Sequence, residues 1–180
     1  LYQPARLLVR SATYETRMAL YLCGVMAEIT DVFRTLSGPS TGEFKDRGSK
    51  FIAYAWPVRD EAEALEHLEQ LRKEHFKARH HCFAWRIGLS GDRFRAKDDG
   101  EPSGTAGRPI LGQIDSFGLT DVVVIVVRYF GGTLLGASGL IHAYREAAAE
   151  ALRAAVIEEK LVLDHFRLQF DYALMPDVMN

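Results

Sequence analysis

The most constraining stretch of this chain is Asp121 to Tyr129, which reads DVVVIVVRY. Its six consecutive β-branched residues, Val122 to Val127, are stiff at χ1 and suit a pleated strand. No polar residue alternates with them, so both faces of that strand need cover. No apolar run in the chain approaches the roughly 18 residues of a membrane span. A buried central strand already excludes a coiled coil, a collagen and a disordered chain, and 48% hydrophobic with 26% charged residues is ordinary globular usage. Lys and Arg number 22 against 24 Asp and Glu, a net charge of -2. Such a balance argues against a protein that coats nucleic acid through its overall charge, and leaves room for a local basic patch. Two cysteines, Cys23 and Cys82, are too few for a disulfide framework in 180 residues. A reducing, cytoplasmic setting is therefore expected.

Other elements follow from pattern. Ile29 to Leu36 is a candidate strand closed by Ser37-Gly38-Pro39-Ser40, and Lys50 to Val58 is strand-like through Phe51, Tyr54 and Trp56. Asp60 opens a helix with Glu63 as its capping-box partner, and Leu65, Leu68 and Leu71 recur at helical spacing. His81 to Ile87 reads as a strand, followed by a turn and a return strand from Phe94. Arg95 to Pro109 reads as a loop, and Ile110, Leu111 and Ile114 as a short helix. A long helix runs through Leu140, Tyr144, Ala148, Ala151 and Leu152, and a new strand-like stretch starts at Lys160. Strands alternating with helices predict an α/β or α+β fold with two packed layers. Residues 1–25 read as a non-native or disordered leader, with a signal or transit peptide as the rival reading.

Three segments are rich enough in functional groups to carry chemistry. Lys97 to Pro109 reads KDDGEPSGTAGRP. Asp98, Asp99 and Glu101 are the oxygen ligands a divalent cation takes. Ser103, Gly104, Thr105, Ala106 and Gly107 lead into a helix and offer N–H groups and hydroxyls to an anion. The plainer alternative is a rigid connector, with Ser103 or Thr105 as helix cap. Neither a P-loop Lys-Ser/Thr pair nor an EF-hand spacing is present. Next, Arg128-Tyr129-Phe130-Gly131-Gly132 joins the buried strand to the long helix. Strand, glycine loop and helix start form a common anion-binding geometry, to which Arg128 adds charge and Tyr129 or Phe130 a stacking face. Equally, the glycines let the backbone pass close to a neighbour and the aromatics fill the core. Finally, Arg79-His80-His81-Cys82-Phe83 places His81 and Phe83 on one side of a strand and His80 and Cys82 on the other. Zinc is disfavoured, Cys82 reads as a buried strand residue, and one histidine is expected to hydrogen-bond to the acidic loop.

Between Lys77 and Lys97 stand six cations (Lys77, Arg79, Arg86, Arg93, Arg95, Lys97) against one acid, Asp92. With Phe83, Trp85 and Phe94 interleaved, this is a candidate nucleic-acid face; the alternative is a solvated hairpin with its aromatics inside.

GSKFIAYAWPV, ARHHCFAWRIG, DDGEPSGTAGRPIL and VVRYFGGTLLGASGLIHAY, in this order, resemble the YigZ/IMPACT family from about Phe33 to Ala155. The resemblance implies an α/β (α+β) two-layer sandwich like the second domain of ribosomal protein S-five and elongation factor G domain IV. It makes 26–158 the family's N-terminal domain and 159–180 the first strand of a truncated ferredoxin-like domain. Eukaryotic members regulate translation through an amino-acid-starvation kinase, with a further module this sequence does not show; bacterial members have no settled activity. Ser138 and His142 depart from the family's usual residues.

Together these readings predict a cytoplasmic, translation-associated protein that binds RNA or the ribosome, with no membrane association and no cofactor. Its face comprises Arg79, His81, Arg86, Arg93, Arg95, Lys97, Arg128 and Tyr129, with Ser103 to Gly107, Gly131 and Gly132 as anion-binding loops. One alternative is a metal- or phosphate-dependent hydrolase with Asp98, Asp99 and Glu101 on the ion. Another is an interaction module that recruits a protein partner in translation control.

Overall fold

The computed structural model describes residues 32–89 and 91–162. The chain divides into two units, Val32–Leu161 and the pair Leu1–Asp31 with Val162–Asn180. The leader expected at 1–25 lies outside the described residues, as does the ferredoxin-like segment expected at 159–180 from residue 163 onward.

Among the described residues, seven strands and three helices follow one another as β1 (Val32–Leu36), β2 (Ser40–Asp46), β3 (Ser49–Pro57), α1 (Glu61–Glu74), β4 (His80–Ile87), β5 (Arg93–Lys97), α2 (Gly107–Ser116), β6 (Val122–Tyr129), α3 (Gly136–Ala154) and β7 (Ile157–Leu161). Five strands form one sheet in the order β2-β3-β6-β4-β5, antiparallel throughout. The valine-rich strand is its centre, as its two apolar faces require. β1 and β7 form a separate antiparallel pair, with Leu36 opposite Ile157. Residues 157–161 are thus paired within the first unit.

The register explains the layering. Val124 lies opposite Ala55 of β3 and Ala84 of β4. Val126 likewise lies between Ala53 and Cys82; these small neighbours let helices approach closely, and α2 and α3 pack there through Ile110, Ile114, Ala143, Tyr144, Ala147 and Ala151. Val123, Ile125 and Val127 point the other way, against Phe83, Trp85 and Ile87, and are closed by Ala64, Leu68 and Leu71 of α1. The fold is the expected α+β sandwich, with α1 adding cover over β4 and β6 on the second face. Each fully buried Val, Leu or Ile contributes about 1.5–3 kcal/mol.

Two local findings differ from the pattern. Ala64, not Leu65, completes the buried stripe of α1; Leu65 is 38% exposed. β2, with its polar text STGEFKD, is a full strand because α3 packs on it: a Cβ on Gly42 would stand 2.3 Å from the Ala151 backbone nitrogen.

Antiparallel pairing gathers four connections at one end of the sheet. The C-terminal ends of β2, β5 and β6 and the N-terminal ends of β3 and β4 lie there. The turn at 46–49, the link 75–79, the loop 98–106 and the loop 130–135 therefore meet.

Candidate nucleic-acid interface

The acid-rich loop is neutralised from within. Asp98 Oδ2 accepts from the Gly104 N–H at 2.8 Å, and its Oδ1 accepts from Ala106 and Gly107 at 3.0 and 2.8 Å. Burial pushes its pKa up, but these three amide donors outweigh that and hold it below the usual carboxylate range. The N–H groups expected to receive an external anion thus receive Asp98, which caps α2 from eight to nine residues away in sequence. Neither Ser103 nor Thr105 caps the helix; the Thr105 hydroxyl donates to the Pro102 carbonyl at 2.6 Å. Asp99 takes the His81 backbone N–H at 2.8 Å and the Arg72 guanidinium at 3.2 Å, while its carbonyl meets His80 Nδ1 at 2.9 Å. The expected histidine bond to the acidic loop is this last contact.

Glu101 turns inward. Its Oε1 accepts from Arg128 at 2.6 Å and from the Tyr144 hydroxyl at 2.8 Å. Both members of the ion pair are buried, their side chains 7% and 4% exposed. The Arg128 guanidinium also lies over the rings of Phe51 and Phe130. Cys82 donates to the Asp98 carbonyl at 2.9 Å, and burial raises both its thiol pKa and that of the Tyr144 hydroxyl. The three acids serve three different partner sets, and among the described residues no three His, Cys, Asp or Glu side chains cluster as a cation site. Metal chemistry through Asp98, Asp99 and Glu101 has no common point to act on.

The glycine loop is tied to the turn before β3. A Cβ on Gly131 would lie 1.9 Å from the Gly48 carbonyl carbon, and the Gly131 N–H donates to Ser49 Oγ at 3.1 Å. Close backbone passage requires that glycine. Gly132 is exposed with φ +86.

On the α1 side of the sheet the expected cations form a row. Arg93, Arg95 and Lys97 stand opposite Ile87, Trp85 and Phe83, so all three share the face that α1 covers. They are exposed along the open edge strand, and Arg95 pairs with Glu61 of α1. Lys77 and Arg79 are exposed in the link that follows α1, beside Phe76, which is 74% exposed. On this face too, His81 is buried with Nε2 lacking a hydrogen-bond partner, and burial lowers its pKa. Tyr129 is half-buried; its hydroxyl meets His75 Nδ1 at 2.8 Å, and His75 Nε2 meets the Tyr54 hydroxyl at 2.8 Å.

A family model described as the Impact N-terminal domain matches residues 47–152. The chain belongs to the IMPACT family. It is 38% identical over 138 residues to the Escherichia coli protein described as IMPACT family member YigZ, covering 76% of this chain and 68% of that one. The Protein IMPACT homolog of Saccharomyces cerevisiae is 36% identical, over 69% of this chain and 49% of its own length. A crystal structure described as that of a hypothetical protein superposes with a TM-score of 0.73 at 35% identity, over 82% of this chain and 73% of the other. The matched IMPACT domain contains both signature loops and the whole cation row.

Set against the expected IMPACT face, the structure gathers Arg93, Arg95 and Lys97 with Tyr129 and His81 on one side. Arg79 is exposed at the start of β4. Two expected members stand elsewhere. Arg128 is buried behind Glu101, and Arg86 points to the α2 side, held by Asp115 at 2.7 Å and by the Gly91 carbonyl. Strand alternation dictates both: 86 and 128 have the parity of the face that α2 and α3 cover. Phe83 and Trp85 are buried, while Phe94 is exposed on the α2 side with Arg86 over its ring. Sequence reasoning missed Phe76 and Arg72; the break of helix text at His75-Phe76-Lys77 was the signal available. Among the described residues no helix is long and apolar enough to cross a membrane.

Proposed function

We propose that this chain is the core of a translation-associated regulator that binds RNA or the ribosome. The binding face is the β5 edge with the link after α1: Arg93, Arg95, Lys97, Lys77 and Arg79. One observation carries the reading: the acids of the 98–101 loop beside this face are engaged within the protein, while the face's own cations are exposed. Asp98 is spent on three amides, and Glu101 on Arg128 and Tyr144. The loop therefore adds little free negative charge beside the row, although the whole chain carries a net charge of -2. Exposed Lys and Arg neutralise phosphates, and an exposed ring such as Phe76 gives a base a face to stack on. Family membership supports the translation context, since the resemblance implies that role for eukaryotic members. The partners of the whole protein belong to the same proposal.

Equilibrium binding to total cellular RNA tests it, comparing the unaltered chain with Arg79→Ala/Lys97→Ala. Both side chains are exposed, so the fold should be unaffected. The double variant should bind at least about tenfold more weakly. Undiminished affinity would remove this face from the account.

A further inference from the structure

We infer that the nucleic acid this face accepts is a single extended strand rather than a duplex. The inference rests on the reading just given and sharpens it. Arg93, Arg95 and Lys97 project from alternate positions of one strand, so their bases are spaced about 6.7 Å apart in a straight line. That spacing suits the successive phosphates of one extended strand. The row is one cation wide, and its flank, α1 on the same face, is net acidic: Glu61, Glu63, Glu66, Glu69 and Glu74 stand against Arg72 and Lys73, with Glu61, Glu63 and Glu69 paired to Arg95, Arg59 and Arg72. Glu66 and Glu69 are exposed.

Each charge on that flank repels phosphate over about 10 Å at moderate salt. A duplex laid on the row brings a second phosphate backbone toward α1, whereas a single strand stays on β5. The pairing of Arg95 with Glu61 does not block the row, because an exposed ion pair contributes only about 0–1 kcal/mol and exchanges readily for phosphate. At the same end of the sheet stand the exposed Lys77 and Arg79, with the Lys77 ammonium over one face of the exposed Phe76 ring.

The test measures fluorescence anisotropy with the full chain and three probes of equal length. They are an unstructured RNA of a dozen nucleotides, the same RNA paired with its complement, and a poly-glutamate peptide. The single strand should bind about tenfold more tightly than the duplex, and the peptide more weakly than either. Arg93→Ala/Lys97→Ala should weaken single-strand binding. Glu66→Gln should strengthen duplex binding more than single-strand binding, which a merely structural role for this exposed glutamate would not do. Equal or tighter duplex binding overturns the inference and leaves the RNA reading standing. A peptide that binds as tightly as RNA shows that the row reads negative charge alone, and overturns it too. Failure of both nucleic-acid probes to bind overturns the RNA reading and the inference with it.

Discussion

Asp98 takes the place of the anion that the N–H groups of its loop invite. Its three amide bonds are charge-assisted and each contributes about 1.5–3 kcal/mol at most. Asp98→Ala should lower stability by about 3 kcal/mol at neutral pH, read as a fall in the urea midpoint. The sign with pH follows from its depressed pKa. This contribution is complete above the unfolded-state value of about 3.9 and is lost as pH falls through the lower folded value. His81 acts in the same direction at milder acidity. Its folded pKa is lowered by burial, so below about 6.5 the unfolded chain takes up a proton that the folded chain refuses. Stability should therefore decline from pH 6.5 toward 5, and His81→Leu should flatten that part of the profile. A wild-type profile flat over this range would contradict the account. For the Arg128–Glu101 pair the expected change is larger. Arg128→Ala leaves a carboxylate buried without its cation, at a cost of about 3–5 kcal/mol. Loss of RNA binding in Arg128→Ala with undiminished stability would instead restore Arg128 to the ligand.

At the scale of elements, what was legible in the sequence follows from where burial is symmetric. β6 was readable because a strand buried on both faces has no alternation to obscure it. The start of α1 was readable in Asp60 and Glu63: the Glu63 N–H donates to Asp60 Oδ1 at 2.9 Å. The reciprocal half of the capping box is shifted by one residue, since Glu63 Oε2 accepts from the Arg59 N–H. β2 was hidden because its exposed face is polar and its buried face holds Gly42, whose role is to admit α3. The site was half legible. Alternation foretold the sides taken by His80 and His81, and would have foretold those of Arg86 and Arg128 once the parity of β6 was fixed. What no local pattern contains is that the donors of one loop close on the loop's own Asp98. The pairing of Gly131 with the turn before β3 is equally non-local. Gly131→Ala should cost about 3 kcal/mol, the upper end for overpacking, because backbone rather than a flexible side chain stands in the way. A thermal midpoint unchanged by that substitution would show that the two connections do not need such close contact.

For the whole molecule, the antiparallel order β2-β3-β6-β4-β5 brings both glycine-bearing loops and the basic link to one end of the sheet. The loops stitch that end together through Glu101, Arg128 and Ser49, and the cations lie outside the stitching. Division of labour between the two sets of polar residues is the central claim. Its most direct measurement is co-sedimentation of the chain with ribosomal subunits and with total RNA across a salt series. Four or five phosphate contacts predict that log affinity falls linearly with log salt, with a slope of about -3. Arg79→Ala/Lys97→Ala should make that slope shallower by one to two while leaving the thermal midpoint in place. Binding that ignores salt, or no binding at low salt, would contradict the account.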